Sequence, residues 1–474
     1  MNRILENMKP TPRMALNVGG GLDLVTGVFM KGKYGEDILI GGFSNLQGEM
    51  GNPNSHKTTI AIWMMCSALD TVAYSYLSEM MIYDAEGTLR EERINELSKR
   101  FKYLDRDEDG KLIMSFSNIG KEVPEEWYDK TFSKYIKAKK DSKDYEIEIE
   151  FLNDPNTGKT LRIKLPTVVL LDTITMFDPS STTDNIMDIG SNDAKNRTFG
   201  LNNNKFKTDI MSTMTASTLR TNTYALIVAH VGDNINLENS PYGPKQRKQI
   251  DSLASNEKIK GVPSNYTRIL TSLWQATGKK FLNNPATMLA EYPLNNGQDK
   301  VKNELQLITL KQHRSKDNMS DVYVSLIVSQ KEGVLPHLSQ FHYLKEEKYG
   351  FEGNKLTYAL ILYPDCKVGR TTIRSKIDED PKLRRALELT SDYLQLQTYF
   401  PHYDDLGYFC TLEELYKDIS DMGYCWDKIL TLTRNWHTPR HYSKIGYLHI
   451  LNLLKIRKGE YKYTDMLNLI QKDK

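Results

Sequence analysis

The run Gly51-Asn52-Pro53-Asn54-Ser55-His56-Lys57-Thr58-Thr59 constrains the fold more than any other part of the chain. It follows a strand-like segment, "SNLQGEM", and opens "HKTTIAIWMMCSALDTVAYSY", whose apolar residues recur at helical spacing. A strand, a polar turn ending in Lys-Thr and a helix form the setting of a phosphate-binding loop. There, backbone N–H groups surround the phosphates, the lysine reaches the β and γ phosphates, and the hydroxyl holds magnesium. The match to G-x-x-x-x-G-K-[ST] is incomplete, because His56 stands where the second glycine belongs. Glycine is favoured there because the backbone is tightly wrapped, and a larger residue is accommodated if its side chain points outward.

At 474 residues the chain is long enough for one large domain and a smaller one. Its 39% hydrophobic and 26% charged content, with a mean hydropathy of -0.53, describe a soluble protein. No window offers the ~20 apolar residues of a membrane span, and "MNRILENMKPTPRM" lacks the apolar centre of a signal peptide. A cytoplasmic location without a membrane partner is expected. Cys66, Cys366, Cys410 and Cys425 are too sparse for a disulfide framework and are expected to be free thiols. A net charge of +2 excludes a globally basic nucleic-acid binder, so any such surface must be local. The densest basic runs are "KTFSKYIKAKKDSK", which reads as the solvated face of an amphipathic helix, and "KQRK" at Lys245 to Lys248.

Between about residues 11 and 346, apolar runs such as "SEMMIYDAE", "KLIMSF", "PTVVLLDTITM", "YALIVAHV", "LQLITLKQH" and "VYVSLIVS" alternate with polar helical stretches. This rhythm predicts an α/β core with a mostly parallel central sheet flanked by helices. Residues 1–10 read as a short tail. "YEIEIEFLNDPNTGKTLRIKLP" alternates about a Pro-Asn-Thr-Gly turn and predicts an inserted hairpin over about 145–165. Residues 231–264 are too polar and too long for an ordinary connection. From 347 to 474 the pattern changes to a small, mostly helical domain, with a capping box at Thr411 and Glu414.

Two cation-site candidates fall away on spacing. Cys410, Cys425, His437 and His441 lack the close spacing of a zinc knuckle. "DRDEDGKLIMSF" has Asp105, Asp107 and Asp109 but Phe116 where a calcium loop needs a bidentate glutamate. "TVVLLD" is more informative, because it puts Asp172 at the end of a buried strand, where a carboxylate can hold magnesium through water.

Five motifs in order give the chain its resemblance to the RecA-type recombinases, and most of all to the bacteriophage UvsX branch, in which the residue before the loop lysine is also bulky. They are the phosphate loop, "YDAEGT", "VVLLDT", "LIVAHV" and "LKQHRSK", spanning Arg13 to Glu346. The resemblance implies a RecA-like ATPase core that uses ATP and Mg2+. It assigns residues 51–59 to the nucleotide, Thr58 and Asp172 to the metal, Glu86 to aligning the attacking water, and His230 to sensing the γ phosphate. A helix N-cap is the ordinary alternative for "DAE". Lys311 and Arg314, with His313, would reach a neighbouring subunit's nucleotide.

By the same resemblance, two loops would touch DNA, at residues 177–205 and 231–264. Single-strand binding needs cations for phosphates and planar groups beside bases. The second loop offers Lys245, Arg247, Lys248, Lys258 and Lys260 with Tyr242, nearly balanced by acidic residues. The implied activity is DNA-dependent ATP hydrolysis, coupled to assembly on single-stranded DNA and to homologous pairing and strand exchange with duplex DNA in recombination, repair and replication. A host bacterial cytoplasm would be the setting for a phage protein. Only about ten residues precede the apparent core, which leaves little for the N-terminal element that RecA-type proteins pass to their neighbours. A RecA-fold ring helicase and a non-recombining adaptor paralogue remain as alternatives.

Overall fold

The structure, a computed structural model, describes residues 15–72, 79–101, 114–180, 195–233, 248–286, 288–294, 303–316, 318–354, 356–436 and 445–473, together with Leu104, Glu108 and Gly110. Asp105, Asp107 and Asp109 of the calcium-like run, and the "HTPRH" segment, lie outside the described residues.

The helix α1 (Leu22–Thr26) and the two-stranded ribbon β1 (Val28–Lys31) and β2 (Asp37–Ile40) precede the main sheet. Strand β3 (Leu46–Gly51) leads into helix α2 (Lys57–Val72) and then β4 (Met80–Asp84). Helix α3 (Glu91–Ser98), β5 (Met114–Asn118) and helix α4 (Ser133–Asp141) come after it. The expected hairpin is present as β6 (Glu146–Asn153) and β7 (Thr160–Lys164), and its apolar face joins Ile38 and Ile40 of β2. Next come β8 (Thr167–Asp172), helix α5 (Lys195–Thr221), β9 (Thr223–Asp233), β10 (Glu257–Ile259), β11 (Ser272–Phe281), β12 (Leu305–Ser315), β13 (Tyr323–Ser329) and β14 (Gly333–Val334).

These strands form one ten-stranded sheet in the order β14-β13-β12-β11-β3-β9-β8-β4-β5, with β10 paired to β9. From β11 to β5 the ladders are parallel. From β11 to β14, and between β9 and β10, they are antiparallel. The sheet is therefore mixed, which corrects the mostly parallel sheet expected from the apolar runs. A parallel return needs a crossover of a dozen or more residues, and the link from Ser315 to Tyr323 is too short for one.

Strand alternation sorts the core into two layers. Ile82, Val168, Leu226 and Val228 face α2, whereas Tyr83, Val169, Leu171 and Ile227 face α4 and α5. One lysine of the basic run departs from the solvated face expected of it. Lys139 is fully buried and donates to Thr167 Oγ1 at 2.8 Å, because helical spacing puts it on the same side as Ile136.

The C-terminal part contains helices α6 (Pro336–Glu346), α7 (Pro381–Tyr399), α8 (Leu412–Asp421), α9 (Trp426–Leu432) and α10 (Ile450–Arg457). It also holds a three-stranded antiparallel sheet, β15 (Phe351–Gly353), β16 (Tyr358–Leu360) and β17 (Tyr363–Val368). Thr411 and Glu414 form the expected capping box. The apolar cluster of these helices is continuous with Leu305 and Ile327 of the main sheet. Among the described residues, no helix is long and apolar enough to cross a membrane.

Candidate active site

The carboxyl ends of β3, β4, β8 and β9 meet at one edge of the sheet. Gly51 pairs in register with His230, and Asp84 with Asp172. In open α/β sheets this edge is where ligands bind.

At Gly51, a Cβ would come within 2.6 Å of Ser55 Oγ and 3.2 Å of Ala276 Cβ, so a side chain there would have to displace Ser55 of the loop. Asn54 and His56 adopt left-handed conformations, with φ of 60° and 63°. That explains why a second glycine suits position 56, since a side chain there costs about 1–2 kcal/mol. The His56 ring points away from the loop, and its Nε2 lies 2.9 Å from Gln306 Oε1 on β12. Burial is the main cause that lowers the imidazole pKa, with the nearby Lys279 and Arg93 adding to it.

Lys57 opens α2 with only 7% of its surface exposed, and its Nζ donates to Asn52 O at 2.9 Å. Desolvation lowers its pKa, while Glu49, Asp172 and Glu86 act to raise it. Thr58 Oγ1 donates to Asp172 Oδ2 at 2.5 Å. Burial pushes the Asp172 carboxyl up to about 6, and its Oδ1 is buried without a hydrogen-bond partner. A hydroxyl beside a carboxylate with a spare oxygen fits Mg2+, which keeps several waters and takes few protein ligands. No group of three or more metal-ligating side chains occurs among the described residues.

Glu86 is held by the turn after β4. Asp84 accepts the N–H groups of Glu86, Gly87 and Leu89, and Gly87 has a φ of 67°. Helix α3 begins only at Glu91, with Arg90 at its N-cap, so the "DAE" segment is not a helix cap. Glu86 Oε1 lies 2.5 Å from His230 Nε2, and this contact is the main cause that lowers the Glu86 pKa.

His230 is tied by its backbone to both loop bases. Its N–H donates to Thr175 Oγ1 at 3.0 Å, its carbonyl accepts from Lys260 N at 2.8 Å, and Thr175 Oγ1 donates to Lys260 O at 3.0 Å. The buried Lys207 ties the same segments together through Thr175 O, Gly261 O and Asp178.

Lys57, Thr58, Glu86, Asp172 and His230 all line one cavity of about 550 Å³, together with Lys279, Gln306 and Gln330. The last three were not expected from the sequence, because they arrive from β11, β12 and the β13–β14 turn. Glu49 of β3 was also missed. It is fully buried, neither oxygen has a hydrogen-bond partner, and burial raises its pKa well above the ordinary value.

The candidate trans residues lie elsewhere. Lys311 pairs with Asp321 at 2.8 Å and donates to Ser252 O. His313 is buried between Ser252 Oγ and Gln275 Oε1, so its ring faces its own chain. Arg314 donates to the carbonyls of Leu270 and Arg268, and lines a separate cavity of about 720 Å³ with Lys205, Lys248 and Arg268. Lys248 bonds to Leu253 O at 3.0 Å, while Lys258 and Lys260 stand on or beside β10. Tyr242, Lys245 and Arg247 lie outside the described residues.

A further cavity of about 570 Å³ separates the sheet from the C-terminal helices and is lined by Glu332, His337, Arg374 and Asp392, among others. Glu332 is ion-paired with both Arg100 and Arg374, and Arg374 also pairs with Glu304 at 2.7 Å. No family model matches the chain, and no curated protein matches it in sequence.

Proposed function

We propose that the chain is an ATP-hydrolysing DNA recombinase of the RecA/UvsX type. It would assemble on single-stranded DNA and promote homologous pairing and strand exchange in the cytoplasm. The observation that carries this reading is the convergence of Lys57, Thr58, Asp172, Glu86 and His230 on one cavity at the end of the sheet.

In this reading Lys57 leaves the Asn52 carbonyl for the β and γ phosphates, and the N–H groups of the loop enclose them. Thr58 and Asp172 would hold Mg2+, which would offset the negative charge of the phosphates. Glu86, ionised beside His230, orients a water toward the γ phosphate. His230 then divides its hydrogen bonding between Glu86 and the phosphate. Its backbone ties to Thr175 and Lys260 transmit the difference to the two loops assigned to DNA.

The test is electron microscopy of the chain with single-stranded DNA and a nonhydrolysable ATP analogue, alongside steady-state ATPase assays. Nucleotide-dependent filaments and DNA-stimulated turnover support the recombinase. Hexameric rings that unwind forked duplexes would instead identify a helicase, and turnover without DNA-dependent assembly would identify an adaptor.

A further inference from the structure

We propose that Lys279 supplies, from within the same chain, a second positive charge to the terminal phosphate of the bound nucleotide. The inference rests on the nucleotide reading given above.

Strand β11 runs parallel to β3 up to the pair Ala276 and Gly51, so residues beyond Ala276 overhang the phosphate loop. Trp274 and Ala276 face the α2 layer, and Leu273 faces the opposite layer. Uninterrupted alternation would send Lys279 to the side of Leu273, away from the loop. The β11–β12 ladder instead shifts register between Ala276 and Gly278, leaving Thr277 as an extra residue. A bulge of this kind inverts the side-chain parity beyond it and re-aims the later residues of the strand. Lys279 consequently returns to the face of the loop.

There its Nζ donates to Asn54 O at 3.2 Å, and the side chain lines the cavity that holds Lys57, Glu86 and His230. The Phe281 ring lies 5.8 Å from the ammonium, and Lys279 is also near enough to His56 to act on its pKa. Among the described residues no carboxylate forms a salt bridge with it, in contrast to Lys311, which is paired with Asp321. A cation held by a carbonyl and a ring, with no paired carboxylate among the described residues, can be drawn to a phosphate at little cost.

During hydrolysis the water oxygen bonds to the γ phosphorus while the bond to the β–γ bridging oxygen breaks. The water's proton passes to the phosphate product. Lys279 forms no covalent bond and offsets negative charge on the γ-phosphoryl oxygens, the role for which positioned cations serve in phosphoryl transfer. This chain therefore provides in cis a charge that an assembled neighbour would otherwise have to bring.

The experiment compares the full chain with Lys279→Ala, Lys279→Arg and Lys280→Ala. It measures affinity for ADP and for a nonhydrolysable ATP analogue, and turnover of ATP in dilute protein. Lys279→Ala is expected to lose about tenfold of the triphosphate-over-diphosphate preference and about 100-fold in kcat. Lys279→Arg should recover most of both, and Lys280→Ala, an equal change of charge one residue away, should match the unsubstituted chain. Equal weakening of ADP and the ATP analogue in Lys279→Ala would show that the lysine only pins the loop, and would overturn the inference. Unaltered preference and turnover in Lys279→Ala would do the same while leaving the nucleotide reading intact. If the unsubstituted chain binds neither nucleotide, that reading fails and takes the inference with it.

Discussion

His56 Nε2 and Gln306 Oε1 are 2.9 Å apart, joining the loop before α2 to β12. The left-handed backbone at His56 costs about 1–2 kcal/mol, and the hydrogen bond offsets part of it. His56→Ala keeps the strain and loses the bond, so it should destabilise the protein by about 1 kcal/mol in urea unfolding. His56→Gly loses both and should be close to neutral. An alanine variant as stable as the glycine variant would contradict this account.

Asp172 gives the fold a pH dependence of definite sign. Its carboxyl rises from an ordinary value of 3.8 to about 6, so the folded state holds the proton more tightly than the unfolded chain. The favourable contribution is complete below about pH 4 and is lost as pH rises through about 6. Asp172→Asn should therefore stabilise the nucleotide-free protein at pH 8 by about 1–2 kcal/mol, and flatten the melting temperature between about pH 4 and 6. The same variant should abolish magnesium-dependent ATP turnover.

Glu86 and His230 should separate chemistry from coupling. Glu86→Gln is expected to retain nucleotide affinity while losing about 100-fold in kcat, the scale of a lost water-orienting group. His230→Ala should bind single-stranded DNA with the same affinity in ATP analogue and in ADP, as measured by fluorescence anisotropy. Preserved nucleotide dependence in His230→Ala would rule out the strand tip as the link.

Lys139 is an internal test of burial against charge. Desolvation holds its pKa well below the ordinary lysine value, so folding is opposed as pH falls and the ammonium must be kept. Lys139→Met should raise stability at about pH 7 by about 1 kcal/mol, with a smaller gain at about pH 10, where the unfolded chain also begins to lose the proton, in thermal unfolding.

The residues that were legible in the sequence share one property: each lies at a strand end or at the start of the helix that follows one. Lys57 and Thr58 open the helix after the loop, and Glu86, Asp172 and His230 lie at or just beyond the tips of apolar strands, so local pattern located them and the sheet register brought them together. Lys279, Gln306 and Gln330 reach the cavity through strand order and a bulge, neither of which leaves a local pattern. The mixed sheet was only half concealed, since the short link before Tyr323 already ruled out a crossover helix. Lys139 is hidden when its charge run is read as a whole, whereas its spacing from Ile136 singles it out.

The turn between β13 and β14 places Gln330 in the cavity lined by Lys57 and Asp172 and, two residues later, Glu332 on Arg374 of the C-terminal part. Arg93 grips the same turn through the carbonyls of Gln330 and Lys331. A shift of the C-terminal part would thus tug on the wall of that cavity. Excising that part would do more than shorten the protein: it would strand Glu332 without one of its two guanidinium partners and unmoor the rim of the chamber that Gln330 lines.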